Sequence, residues 1–162
     1  MRHPIVIFVG YATKNQRIAT KFLDQLQEQL EPSKHYKYHP WRDVDNILTG
    51  DNWDEEIKKA LQQCHCGILL ISPAFLSSEY SINIEWNYLA TNDKPVFPVM
   101  LKHVNFKRHN LHGLETKQIF RWSPSLGNEL RSFADFGATR EQRRFVEQLF
   151  LQIEHRLDRI FA

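Results

Sequence analysis

The chain has 162 residues, of which 42% are hydrophobic and 25% are charged, and these values are ordinary for one globular domain. The formal net charge is only +2, and the 21 lysines and arginines are dispersed along the sequence, so composition indicates no nucleic-acid partner. The longest apolar stretch is too short to cross a bilayer, and the N-terminus lacks a signal-peptide cleavage site, so we expect a cytoplasmic protein with no membrane partner.

The first half of the chain predicts strands and helices in alternation. "PIVIFVG", residues 4–10, is a continuous β-branched and aromatic run that is typical of a strand buried on both faces. Apolar residues at helical spacing follow over residues 15–30, and Pro32 ends that helix. "HYKYHPW", residues 35–41, alternates weakly and predicts a strand nearer the edge of the sheet. A polar loop then leads to a predicted helix over residues 52–63.

The second half continues the alternation. "GILLIS", residues 67–72, predicts another fully buried strand, and residues 80–91 predict a short helix. Residues 95–101 predict a fourth strand, although a proline in its interior is unfavourable. "KQIFRW", residues 117–122, predicts a fifth strand, and residues 139–160 predict a long amphipathic helix.

This order of elements predicts an α/β fold. We expect a flavodoxin-like, five-stranded parallel sheet of order 2-1-3-4-5, covered by helices on both faces, in a single domain over residues 1–162. Ligands bind such sheets beyond the carboxyl ends of the strands, where the strand order reverses. The loops at residues 10–15 and 72–81, with residues 41–50 alongside, are therefore the predicted pocket.

The sequence lacks the motifs of several classes of enzyme and binding protein that use a pocket of this kind. The sequence contains neither a glycine-rich dinucleotide fingerprint after the first strand nor a P-loop, and Ser72 stands where a receiver domain would have its phosphoacceptor aspartate. No Gly-x-Ser-x-Gly turn surrounds Ser72. What remains is a carboxylate-centred site, with Glu79 and Glu85 as its acids and aromatic side chains in the adjoining loops.

Cysteine and histidine spacing predicts no metal site. Cys64 and Cys66 are too close for an unstrained disulfide, so we expect reduced thiols. His103, His109 and His112 lie in a loop-like segment and are expected to be solvated.

Four segments resemble the TIR (Toll/interleukin-1 receptor) domain family, and most closely its bacterial members. They come in the family's order and spacing, over residues 4–101, and read "FVGYA", "WRDVDNILTGDNWDEEIKKAL", "CGILLISPAFLSSEYSINIE" and "KPVFPVML". The combination carries the resemblance: a loop aspartate, a Gly-x-x-Trp, a Ser-Pro after the third strand, and a Ser-x-Tyr-x4-Glu helix start.

The resemblance implies a catalytic residue. Some TIR domains cleave the nicotinamide–ribose bond of NAD+, and their catalytic glutamate, on the helix after the third strand, falls on Glu85. Glu79 falls at a variable polar position, where an acid favours the helix start. NAD+ is then the substrate, and no cofactor is required.

Other residues are candidates for substrate contact, each with a structural alternative. Trp53 shares a helical face with Ile57 and Leu61, which favours packing in the core. The remaining candidates line the predicted pocket or support its loops, and they are Gly10, Tyr11, Trp41, Arg42, Asp43, Ser72, Phe75, Ser78 and Tyr80. Apolar residues in the loop at 43–50, namely Val44, Ile47 and Leu48, predict either a contact between protomers or a self-contained cap.

Two positions depart from the family pattern. Gly10 stands where the family often has a small polar residue, which removes a hydroxyl from the pocket. A tryptophan commonly precedes the catalytic glutamate by four residues, and here that position is Ser81, with Tyr80 one residue earlier.

The resemblance therefore implies an NAD+ glycohydrolase or cyclase that depends on TIR self-assembly and serves bacterial antiphage immunity. A linked sensor domain or protein is a further expected partner. The alternatives are a non-catalytic TIR adaptor that recruits other TIR domains, and a sensor that binds a nucleotide derivative without turnover.

Overall fold

Four parallel strands form the central sheet of the computed structural model, which describes residues 1–42, 46–125, 127 and 129–161. The strands lie in the order β2-β1-β3-β4, and every neighbouring pair is parallel. Their bounds are β1 His3–Gly10, β2 Tyr36–Trp41, β3 Cys66–Ile71 and β4 Val96–Met100. The flavodoxin-like arrangement, with the first strand inside the sheet and the second at its edge, is thus confirmed.

Helices connect and cover the strands. The α-helices are α1 Gln16–Leu30, α2 Trp53–Gln63, α3 Pro73–Ser77, α4 Asn87–Thr91 and α5 Thr139–Phe161. A π-helical segment, Ser81–Trp86, runs directly into α4, and short 3₁₀ turns occupy Thr13–Asn15, Leu114–Thr116 and Phe133–Asp135. Over the described ranges, none of these helices is both long and apolar enough to cross a membrane.

The core divides into two layers, one on each face of the sheet. Helices α1 and α5 cover the first face through residues such as Phe22, Leu26 and Phe145, which are buried against β1 and β3. Helix α2 and the segment from α3 to α4 cover the second face, where Leu61 and Leu89 are fully buried. Burial on both faces explains why β1 and β3 have continuous apolar runs in the sequence.

The predicted fifth strand over residues 117–122 is wrong: it contributes one isolated bridge, between Val99 and Phe120. Phe120 N–H donates to the Pro98 carbonyl at 2.8 Å, and Met100 N–H donates to the Phe120 carbonyl at 3.0 Å. The preceding bond of a parallel ladder would need an N–H from Pro98, which proline lacks. After Phe120 the chain turns away, and Trp122 exchanges both backbone bonds with Arg131 instead.

A packing contact and a set of hydrogen bonds hold the helices on the second face against the sheet. Gly67 on β3 leaves room for Leu89, because a Cβ there would lie 2.7 Å from Leu89 Cδ1. Lys94, just before β4, donates from Nζ to the carbonyls of Leu61, Gln62 and Cys64 at 2.7–2.8 Å, at the C-terminal end of α2. A cation there satisfies carbonyls that have no partner within the helix and complements the helix dipole.

Candidate functional site

A cleft of about 340 Å³ opens at the carboxyl ends of β1 and β3, at the point where the strand order reverses. Its walls come from the connection after β1, the loop before α2, the start of α2, and the segment between α3 and α4. The lining side chains are Tyr11, Thr13, Ile47, Trp53, Ile57, Ser78, Tyr80, Ser81 and Glu85. We call this space the Glu85 cleft.

Among the residues that the structure describes, Glu85 is the one acid that lines this cleft. Its side chain is only 7% exposed, which is unusual for a glutamate on a helix. The carboxylate lies against the end of β1: a Cβ built on Gly10 would be 2.9 Å from Glu85 Oε1. Gly10 is therefore the residue whose missing side chain makes room for the carboxylate.

The π-helical segment Ser81–Trp86 determines where Glu85 lies relative to its neighbours. In a π-helix the hydrogen bond spans five residues, so positions five apart lie above one another. Tyr80 and Glu85 are five apart, and both line the cleft. The extra residue in this turn thus brings Tyr80 to the same side of the segment as Glu85. In the family pattern a tryptophan stands four residues before the glutamate, whereas Tyr80 stands five residues before Glu85. π-Helical turns are frequent at functional sites.

Tyr80 and Trp53 form an aromatic wall that is held from outside the cleft. Their ring centroids are 4.9 Å apart, and the Tyr80 hydroxyl donates to Asp54 Oδ1 at 2.8 Å. Asp54 also pairs with Lys58 one turn along α2, at 3.0 Å. Burial and the bond to Asp54 raise the pKa of Tyr80, and the bonds from Tyr80 and Lys58 lower the pKa of Asp54. Tyr80 is therefore a neutral hydrogen-bond donor at physiological pH.

Helix capping explains the local fold of this wall. Asn52 caps α2 by accepting a hydrogen bond from Glu55 N–H at 3.1 Å, which places Trp53 at the first helical position. Ser78 Oγ accepts from Ser81 N–H at 3.2 Å at the start of the helical stretch that carries Glu85. Both caps are common sequence signals for helix starts.

Five of the predicted site residues come together in the Glu85 cleft, namely Tyr11, Trp53, Ser78, Tyr80 and Glu85. Gly10 lies directly beneath the carboxylate. Trp53 is 55% exposed, so the expectation that it packs in the core is wrong. It is the first residue of α2, and its ring extends over the cleft rather than under the helix.

Four other predicted residues lie outside the cleft lining. Trp41 stacks on Phe8 at 5.6 Å, and Arg42 Nη1 lies 3.6 Å from Asp24 Oδ1 beside α1, on the other face of the sheet. Phe75 is fully buried in the core. Ser72, also fully buried, caps α3 by accepting from Phe75 N–H, and donates to Asn15 Oδ1. Asp43 and Val44 lie outside the described residues.

Sequence reasoning missed four residues of the cleft lining: Thr13, Ile47, Ile57 and Ser81. Thr13 lies in a loop that was itself predicted to form the pocket. Helical spacing with Leu61 predicts that Ile57 packs in the core. The residue is indeed buried, and it also lines the cleft. Ile47 was predicted as a protomer contact or cap. For Ser81 the sequence indicates only a departure from the family's tryptophan.

A second hollow adjoins the Glu85 cleft. It has a volume of about 480 Å³, lies between the connection after β1 and α3, and shares Thr13 and Ser78 with the cleft. Lys14 is the one cationic residue in its lining. The two spaces therefore adjoin one another, with the Glu85 carboxylate in the lining of one and Lys14 in the lining of the other.

Nothing in the described ranges groups three or more histidine, cysteine, aspartate or glutamate side chains in a way that could hold a metal ion. Cys64 and Cys66 are both buried free thiols. Burial raises the pKa of each thiol, and that of Cys66 rises to about 12. Neither cysteine is therefore a reactive thiolate at neutral pH.

A family model described as TIR domain matches residues 7–136, which is most of the chain and includes every residue of the Glu85 cleft. No curated protein matches the chain.

Proposed function

The chain belongs to the TIR domain family, and from that premise we propose that it cleaves the nicotinamide–ribose bond of NAD+. The products are nicotinamide and either ADP-ribose or a cyclic isomer of it. The observation that carries the proposal is the position of Glu85, a largely buried carboxylate in a cleft with aromatic walls at the switch point of the sheet. A buried acid in such a place is a candidate for electrostatic catalysis.

A single carboxylate is enough for this reaction. Most glycosidases need a second acid, which protonates a poor leaving group. In NAD+ the nicotinamide ring is a cationic pyridinium. It departs as a neutral molecule and takes the bonding electrons with it, so no proton has to be supplied. The ribose carbon that it leaves acquires oxocarbenium character, and a fixed anion beside that carbon stabilises the positive charge.

The lining residues have roles that follow from their chemistry. Trp53 and Tyr80 offer aromatic surface on which the nicotinamide ring can stack. Ser78 and Ser81 bring hydroxyl groups to the cleft, next to the aromatic wall. We propose that Glu85 holds the ribose hydroxyls before bond cleavage and stabilises the cationic ribose during it.

Either of two nucleophiles can capture the ribose cation. Water adds through its oxygen to the ribose carbon and loses a proton to solvent, which gives linear ADP-ribose. A nitrogen of the adenine of the same molecule can add instead, which gives a cyclic product. The choice depends on how the adenine is held in the second hollow.

We further propose that activity depends on association between TIR domains in the cytoplasm, in the setting of bacterial antiphage immunity. The exposed apolar side chains beside the cleft support association. Leu48 is 70% exposed, and Trp53 is 55% exposed, at its rim. The same observation supports the second candidate, a non-catalytic adaptor that signals through TIR–TIR contacts alone.

Nicotinamide release separates the two candidates. The purified protein is incubated with NAD+ at high protein concentration and on a crowding support, and products are followed by chromatography. We expect nicotinamide release that falls by about 100-fold or more in Glu85→Gln, because a fixed charge that acts on the transition state is lost. Glu79→Gln is the matched control, since Glu79 is exposed on the same helical stretch. Inactivity of the wild type in every assembled state favours the adaptor.

A further inference from the structure

A separate cleft of about 480 Å³ lies at the β4 edge of the sheet. Residues 96–98 of β4 form one wall, residues 116–121 form the second, and the C-terminal half of α5 forms the third. We call it the β4–α5 cleft. It shares no lining residue with the Glu85 cleft, and its volume is within the range of about 300–1,000 Å³ that is typical of small-molecule sites.

The described lining of the β4–α5 cleft contains basic side chains and no acid. Its basic side chains are Lys117, Arg121, His155, Arg156 and Arg159, and no aspartate or glutamate of the described part of the chain lines it. These residues come from two segments that are far apart in the sequence, which is why the basic residues seem dispersed when the chain is read linearly. Folding gathers them on one surface.

Helix α5 separates its charges between two sides. Its acids Glu154 and Asp158 accept hydrogen bonds from the hydroxyls of Tyr38 and Tyr36 on β2. Arg156, between them in the sequence, lies over β4 on the opposite side. These two carboxylates are therefore hydrogen-bonded to tyrosines of β2, and neither lines the cleft.

Two guanidinium groups are held in position without an acid. Arg156 Nη1 donates to the Val96 carbonyl, and its Cζ lies 5.0 Å from the centre of the Phe97 ring. The Arg121 guanidinium lies 4.7 Å from the centre of the Phe106 ring, and its buried Nε–H has no acceptor among the described residues. Since a guanidinium has five N–H donors, both arginines retain donors for a ligand.

We propose that the β4–α5 cleft binds the phosphate groups of an organic di- or triphosphate, with a nucleotide as the class that fits its size. Arginine is the side chain best suited to phosphate oxygens, because its planar fork donates two parallel hydrogen bonds. Phe120, Ile119 and Leu130 supply an apolar wall for the organic part of the ligand. The site is independent of NAD+ cleavage and does not require that the proposed function be correct.

The test is a titration of the ¹⁵N-labelled full chain followed by NMR, with ATP, inorganic tripolyphosphate and adenosine as separate probes. We expect ATP to shift signals of residues 96–98, 116–121 and 149–159 saturably, tripolyphosphate to do so more weakly, and adenosine to leave them nearly unchanged. The double variant Lys117→Gln/Arg159→Gln removes two exposed cations of the cleft, and we expect it to weaken ATP binding about tenfold or more.

Controls distinguish this site from general charge attraction and from the Glu85 cleft. Arg17→Gln/Lys21→Gln changes the net charge equally at exposed positions of α1, and we expect it to bind ATP like the wild type. Glu85→Gln is also expected to retain binding at the β4–α5 cleft. Equal weakening in both double variants overturns the proposal. So do shifts confined to the Glu85 cleft, and the absence of a saturable shift at millimolar ATP.

Discussion

Gly10 and Glu85 are distant in the sequence, and their contact decides the geometry of the candidate site. A Cβ on Gly10 would lie 2.9 Å from both Glu85 Oε1 and Leu69 Cδ2, which is closer than side chains tolerate. Both atoms are the ends of side chains, so the carboxylate can move aside at modest cost to the fold. Glycine at position 10 therefore leaves the Glu85 carboxylate where it lies in this structure, and a larger residue would displace it.

The substitution Gly10→Ala should separate activity from stability. We expect nicotinamide release to fall about 10- to 100-fold, because displacing a catalytic group by about 1 Å has effects of that size. The free energy of unfolding should fall by no more than about 1–3 kcal/mol, as is usual for added volume in a packed region. Both quantities are measured on the same preparation, by chromatography and by chemical denaturation.

Gly137→Ala is the matched control, since a Cβ there meets no atom within 4 Å. It should leave release and stability unchanged. If Gly10→Ala released nicotinamide at the wild-type rate, the proposed position of the Glu85 carboxylate in catalysis would be incorrect.

At the residue scale, the sequence predicted the identity of the candidate acid better than its surroundings. Glu85 was singled out by a family motif, and Tyr11, Ser78 and Tyr80 by their place in loops after buried strands. The contact between Gly10 and Glu85 is set by how closely β1 and the π-helical segment approach, which no local pattern records. For Trp53 the prediction fails because helical spacing does not show how far the core extends beneath the first turn of a helix.

At the scale of elements, apolar periodicity predicted the four strands and the major helices. The fifth strand failed for a reason visible only in the hydrogen-bond ladder, where Pro98 lacks the donor that residue 118 would need. The π-helical turn at Ser81–Trp86 was likewise beyond prediction, since one extra residue in a turn leaves the apolar pattern almost unchanged. That turn places Tyr80 on the same side as Glu85, in the lining of the cleft.

Lys94 stabilises the helix that carries the aromatic wall, and removing its charge should be costly. Its Nζ donates to three carbonyls at the end of α2, so we expect Lys94→Met to lower the free energy of unfolding by about 1–3 kcal/mol. Lys59→Met, at an exposed position of the same helix, should change it by less than about 0.5 kcal/mol. Chemical denaturation measures both, and equal effects of the two substitutions would contradict this role.

At the scale of the whole molecule, β2 and α5 are joined by hydrogen bonds between tyrosines and carboxylates. Tyr36 donates to Asp158 at 2.6 Å, and Tyr38 donates to Glu154, which also accepts from Ser33 Oγ at 2.7 Å. Burial, followed by the bond to Asp158, raises the pKa of Tyr36 from 10.0 to about 12. Burial and the bond to Glu154 raise the pKa of Tyr38 as well.

These shifts predict a loss of stability at alkaline pH. The folded state retains the phenolic protons that the unfolded chain releases near pH 10, so stability is full below that pH and declines as the pH rises towards 12. We expect Tyr36→Phe to be less stable than the wild type at pH 8 and to show a shallower decline between pH 10 and 11.5. Lysines also titrate in this range, and the comparison of the two proteins isolates the phenol. Parallel declines would contradict the assignment.

The two clefts lie in different parts of the molecule and differ in charge. The Glu85 cleft presents a carboxylate at the carboxyl ends of β1 and β3, and the β4–α5 cleft presents basic side chains at the β4 edge of the sheet. A carboxylate suits the cationic nicotinamide ribose, whereas the arginines suit phosphate groups. The molecule therefore has one cleft with an acidic side chain and a second cleft with basic side chains. The resemblance to the family indicates only the first.

The most direct test of the central claim is an experimental structure of the assembled protein with a non-hydrolysable NAD+ analogue. We expect the nicotinamide ribose in the Glu85 cleft, with a Glu85 carboxylate oxygen within about 3 Å of a ribose hydroxyl and the nicotinamide ring against Trp53 or Tyr80. An analogue bound with its nicotinamide ribose outside this cleft, for example in the β4–α5 cleft, would contradict the assignment of Glu85.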